Sequence, residues 1–235
     1  MNKLGQDRPL RDALTGADAG ESRVPLEKQL LEHQQHLREL PRDADPLDRA
    51  RLKLEIAQTL LGLNRAGEAW EEARLVFDVF VGHETWQEAV EACDVMYLAD
   101  QPESLVALGN GVWLAVSYPI PAQLTVTLLH HIVDETPDHS DGGAVAAVAA
   151  HYIADLRTTG GEHEDLCFLT AQIIAQVAKR HRDIDDEEGI NSWLEMLQLN
   201  DPGELLPRLA RILGVIVEDR WWIDRDALRA RLPVN

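Results

Sequence analysis

His130 and Asp134 stand four residues apart, and so do His151 and Asp155. On a helix that spacing places an imidazole and a carboxylate on one face. Two such helices side by side would offer two histidines and two carboxylates to a divalent cation. Other spacings fail as chemistry. His163-Glu164 begins no zinc-protease motif, because the residue four after His163 is Cys167 and not a second histidine. One histidine ahead of one cysteine does not make a deaminase signature either. Gly109-Asn110-Gly111 is half of a dinucleotide fingerprint, without the preceding strand and within a helical pattern, so it predicts close helix packing. In the acidic run from Asp183, Glu188 stands where a calcium loop needs glycine and Leu194 where it needs its bidentate glutamate. That run predicts a solvated connector. No Gly-x-Ser-x-Gly elbow and no phosphate-binding loop occurs. The expectation is a chain without catalytic residues or cofactor, with a metal-dependent protein using His130, Asp134, His151 and Asp155 as the alternative.

Four tryptophans, Trp70, Trp86, Trp113 and Trp193, fall in helical patterns and read as packing residues. Trp221-Trp222 differs, because adjacent residues of a strand face opposite sides and Arg220 and Arg225 flank the pair. Tryptophan beside arginine is a common interface composition. These two rings are candidate partner contacts, self-association included, against the alternative that both fold back and are buried.

The elements that must position these residues are helices. Residues 1–23 mix glycine, Pro9 and charge without periodicity and predict a flexible tail. Leu26, Leu30, Leu37 and Leu40 then recur at near-helical spacing after Pro25. Further helices are predicted from about Pro46 to Leu63, across Ala69 to Phe80, from Thr85 to Ala99 and from Pro102 to Val116. Beyond the break at Pro119 and Pro121 come Ala122 to Asp134, the alanine-rich Ala144 to Arg157, Asp165 to His181, Ile190 to Leu199, and Glu204 to Leu213. Residues 24–213 form the helical-hairpin domain and 214–235 a closing segment. In that segment Gly214 to Ile223 fits two conformations, a short β-hairpin or a helix continuing through Val217, before a last short helix from Arg225.

Sliding the sequence by 36 residues lays the turn at Asn64 on the turn at Asp100, Ala57 on Cys93, Leu60 on Met96, Ala73 on Gly109 and Val76 on Val112. Small residues match small and apolar match apolar, as helix hairpins stacked side by side require. Asn64-Arg65, then Glu68-Ala69 and Ala73, resembles the turn and second helix of a tetratricopeptide repeat, and the similarity covers about residues 47 to 117. The family's aromatic positions are mostly missing, and no proline closes the unit after Phe80. The resemblance implies stacked antiparallel hairpins with a concave, peptide-binding side formed by the inner helices. Those helices offer Arg51, Glu55, Gln58, Gln87 and Glu91. The fold class expected is all-α, either such a solenoid or an irregular helical bundle.

Composition narrows the partners. The 235 residues carry 41 acidic against 22 basic side chains, a formal net charge of −19. That field repels phosphate backbones and anionic lipid, which argues against nucleic acid and membrane and suits a basic protein partner. No apolar targeting core opens the chain, and two cysteines 74 residues apart make no disulfide framework, so a cytoplasmic protein with free thiols is expected. The functional expectation is a non-enzymatic adaptor, scaffold or assembly chaperone; a structural subunit of a homo-oligomer or larger complex is a further alternative.

Overall fold

The structure, a computed structural model, describes residues 23–232. The tail expected over residues 1–23 lies outside the described residues except for Arg23, which opens the first helix. Eleven helices and no strand are present among the described residues: α1 (Arg23–Glu39), α2 (Pro46–Gly62), α3 (Ala66–Gly82), α4 (Trp86–Leu98), α5 (Ser104–Ser117), α6 (Ala122–Glu135), α7 (Asp141–Arg157), α8 (Gly160–Arg182), α9 (Glu187–Met196), α10 (Pro202–Val217) and α11 (Arg225–Arg229). None is long and apolar enough to cross a membrane.

From α1 to α8 each helix packs on the next, and α2 also touches α4 and α6 touches α8. The chain is therefore a stack of helix hairpins with α2, α4, α6 and α8 along one side and α3, α5 and α7 along the other. The turns follow from backbone chemistry. Asn64 adopts φ 60°, which lets Arg65 N–H reach Leu60 O at 2.9 Å and Asn64 N–H reach Leu61 O at 3.0 Å, closing the end of α2. Glu84 (φ 58°) repeats this at the end of α3, with Thr85 N–H on Phe80 O at 3.0 Å. At Asp100 (φ 52°) a side chain takes over: the buried Ser104 hydroxyl accepts from Gln101 N–H at 2.7 Å and donates to Met96 O at 2.8 Å.

Two helices are surrounded. Every residue of α5 from Val106 to Ala115 is buried, and so are six alanines of α7 (Ala144, Ala146, Ala147, Ala149, Ala150 and Ala154). A helix apolar all round has to be covered on all sides, and α10 supplies the missing cover by packing across α5 and α7. Here the expectation of close packing at Gly109-Asn110-Gly111 holds. A methyl group on Gly109 would fall 2.3 Å from Val217 Cγ2, and one on Gly111 would fall 2.7 Å from Cys93 Cβ.

Of the two conformations that residues 214–223 fit, the structure takes the helix. Residues 214–217 continue α10, because Leu205, Leu209, Leu213 and Val217 form one buried face at four-residue spacing against the stack. Tertiary packing outweighs the β-preference of Val215-Ile216-Val217, and Glu218 and Asp219, both at positive φ, end the helix. The chain then returns along the stack. Trp222 N–H donates to Asn110 Oδ1 of α5 at 3.1 Å, the Trp222 ring meets Phe77 and Trp70 of α3 edge-on at 5.5 and 6.3 Å, and Arg231 reaches Glu84 at 2.9 Å. The closing segment is thus a strap over α7, α5 and α3.

Three arginines finish helix ends whose carbonyls lack intrahelical donors. Arg157 spreads its guanidinium over Ala115 O (2.8 Å), Val116 O (2.9 Å) and Ile120 O (3.2 Å), closing α5 and the turn that leads to α6. Burial holds this guanidinium below its ordinary pKa. Arg180 donates to Val133 O at 2.7 Å near the end of α6, and Arg208 donates to Leu197 O just past α9.

Candidate functional site

With the strap lying over α3, α5 and α7, the opposite side holds a groove of about 470 Å³ across α2, α4 and α6. Its apolar lining is Leu61 from α2, Val95 and Leu98 from α4, Pro121 just before α6, and Leu124 from α6. Gln58, Gln87, Gln123 and Thr127 supply neutral polar groups, and Glu91 and Asp94 supply the charge. Among the described residues, no lysine or arginine lines it. Register explains the composition: Gln87, Glu91, Asp94 and Leu98 recur every three or four residues along α4, so one stripe of that helix faces the groove. Asp94 is braced from below, with its Oδ1 3.2 Å from His131 Nε2 of α6. The His131 ring in turn lies 4.5 Å from that of Tyr97, whose hydroxyl donates to Glu135 at 2.8 Å.

The structure brings Gln58, Gln87 and Glu91 together in this groove, while the other candidate contacts are engaged elsewhere. Arg51 pairs with Glu88 at 3.0 Å, and Glu55 accepts from or pairs with His33 of α1 at 3.1 Å. Trp221 and Trp222 lie with the strap on the α3–α5 side, half-buried, with Arg225 over the Trp221 ring at 3.8 Å and Arg74 over the Trp222 ring at 4.5 Å. A second depression, about 560 Å³, runs beside Trp70, Arg74 and Leu75. It is larger, but its described lining comes from α3, whereas the groove is built by three helices.

The four-residue metal arrangement does not assemble. His130 Nε2 lies 3.9 Å from Asp134 Oδ1 within α6, but α7 turns its own pair toward α8: His151 Nδ1 is 2.8 Å from Thr170 Oγ1, and Asp155 faces His163. Helix adjacency was enough to suggest the site, but the faces do not meet. Among the described residues, the donor atoms of Asp155, His163 and Cys167 converge instead, all within 4.8 Å of one another. Both thiols are free. Cys93 is fully buried, and burial together with the Asp94 carboxylate pushes its thiol far above the ordinary value. Cys167 is half-buried and also raised, by burial first and by Asp155 second.

Residues that sequence reasoning missed are Asp94, Leu124, Thr127 and Asn110. The first three carry no motif. Asn110 left a signal, a polar residue between two glycines in the most apolar helix, and its amide is what fastens the strap.

The fold and groove define the class: an all-α stack of helix hairpins with one side strapped and the other grooved. No family model, curated protein or solved structure matches the chain.

Proposed function

We propose that this chain is a protein-binding module that takes a basic amphipathic helix or peptide of a partner into the groove across α2, α4 and α6. The observation that carries the reading is the lining itself. Leu61, Val95, Leu98 and Leu124 give an apolar floor, and Glu91 and Asp94 give negative charge with no lysine or arginine beside them among the described lining residues. An amphipathic helix presents the complement, an apolar stripe flanked by lysine or arginine. The net charge of −19 raises the encounter rate with such a segment and makes it salt-dependent. The tetratricopeptide-like turn and the placement of Gln58, Gln87 and Glu91 support the same side as the binding side.

A displayed library of lysine- and arginine-rich amphipathic peptides, selected against the full chain, tests the reading. Selected peptides are expected to bind more weakly as salt rises and to lose at least about tenfold in affinity, or about 1.4 kcal/mol, in Leu124→Asp and in Glu91→Lys. Recovery of no binder, or of binders equally tight on both variants, contradicts it.

A further inference from the structure

We propose that Asp155, His163 and Cys167 form a binding site for a divalent cation of the zinc class, separate from the groove. His163 and Cys167 lie one turn apart on α8, so their side chains share a face. Only Thr158 and Thr159 separate α7 from α8, which brings the last turn of α7, with Asp155, onto that same face. His163 Nε2 stands 3.9 Å from Asp155 Oδ1, and Cys167 Sγ stands 3.7 and 3.8 Å from the two nitrogens of the His163 ring.

The nitrogen–oxygen separation is too long for a good hydrogen bond, which wants about 2.7–3.2 Å. The nitrogen–sulfur contacts are long, weak hydrogen bonds, so the donors converge without a strong bond between them. The spacing is close to what a shared ion imposes. Bonds of about 2.0–2.3 Å at a tetrahedral angle put nitrogen, oxygen and sulfur donors about 3.3–3.6 Å apart. The nitrogen–oxygen and nitrogen–sulfur separations close by about half an ångström or less, and the Asp155–Cys167 pair, which lies within 4.8 Å, closes by rotation of the exposed Asp155 side chain. A neighbour orients the ring. Thr158 Oγ1 donates to Ala154 O at 2.6 Å and lies 3.5 Å from His163 Nδ1, a long contact in which its oxygen accepts from Nδ1–H and Nε2 is left for the ion.

The donor set selects the cation. One thiolate, one imidazole and one carboxylate suit zinc and cobalt(II) and disfavour magnesium and calcium, which take oxygen ligands. Asp155 has 69% of its side chain exposed, so solvent supplies the fourth position. The groove does not reach these residues, and the ion acts as a clasp between α7 and α8.

Cobalt(II) titration of the reduced full chain tests the site. The chain has two cysteines and Cys93 is sealed in the core, so a thiolate-to-cobalt charge-transfer band in the near ultraviolet reports Cys167. One equivalent should saturate the band, and zinc should bleach it. Cys167→Ser should abolish it. His163→Ala and Asp155→Asn should each weaken binding at least about tenfold, while His130→Ala leaves it unchanged. Circular dichroism of each variant establishes that it is folded. No thiolate band at saturating cobalt overturns the proposal, as does a band of equal affinity in folded His163→Ala and Asp155→Asn.

Discussion

Gly109→Leu is expected to destabilise the protein by about 3 kcal/mol and to lift the strap from the stack. Position 109 has no room: even a methyl group would sit 2.3 Å from Val217 Cγ2, and Ile216 Cγ2 and Leu213 O follow at 3.7 and 3.8 Å. Overpacking of this kind costs about 1–3 kcal/mol, and more when neither helix can shift. Both helices here are constrained, α5 by the burial of Val106 to Ala115 and α10 by its contacts with α5 and α7. The gain in helix propensity on leaving glycine, up to about 1 kcal/mol, offsets only part. Chemical denaturation gives the stability, and tryptophan emission reports the strap, since Trp222 would lose its packing on Trp70 and Phe77. Gly214→Ala is the control. It lies in α10 with open space around it and should stabilise by about 0.5–1 kcal/mol. An unshifted denaturation midpoint in Gly109→Leu would show that the contact between α5 and α10 is not tight.

Arg157→Met should cost about 2–4 kcal/mol. The substitution keeps most of the aliphatic stem and removes the donors that serve Ala115 O, Val116 O and Ile120 O. Leaving buried acceptors without donors costs about 1–3 kcal/mol each before relaxation, and a cation at a helix C-terminus adds a favourable term that is also lost. Among the described residues no carboxylate pairs with Arg157, so the variant strands no opposite charge. Arg157→Lys should recover less than half of the loss, because an ammonium cannot present the planar fork that reaches three carbonyls. Thermal or urea unfolding measures both; a lysine variant as stable as the native chain would mean that charge alone, and not the fork, closes α5.

Much of the architecture was legible in the sequence, for reasons visible at particular residues. The turns at Asn64 and Asp100 announce themselves because asparagine and aspartate tolerate positive φ, and the 36-residue offset follows from two hairpins of similar length. Gly109 and Gly111 were readable as packing glycines because no strand precedes them. Other features depend on tertiary context. Thr158 to Gly161 reads as a break, with the next helix expected from about Asp165, yet α8 begins at Gly160. Only the φ of 65° at Gly160 is special, and Gly161 lies in a first turn, where a backbone N–H has no intrahelical acceptor in any case. The closing segment was ambiguous because β-branched residues favour strands, and the decision came from the buried row Leu205, Leu209, Leu213 and Val217.

Part of the groove could be read and the larger part could not. Gln58, Gln87 and Glu91 follow from the inner-helix register of the two hairpins. Leu124 and Thr127 belong to α6, where no repeat extends, and only the contact geometry brings them into line with α4. Asp155 was identified as a possible ligand but with the wrong partners, since helix spacing gives a residue's face and not which neighbour that face meets.

Backbone amide spectra of the full chain, recorded with and without a selected basic amphipathic peptide, test the binding reading most directly. The expected result is that the perturbed amides cluster at Gln58 and Leu61, along Gln87 to Leu98, and at Gln123 to Thr127. Perturbation confined to α3 and α5 beneath the strap, or to the α7–α8 end of the stack, would contradict it.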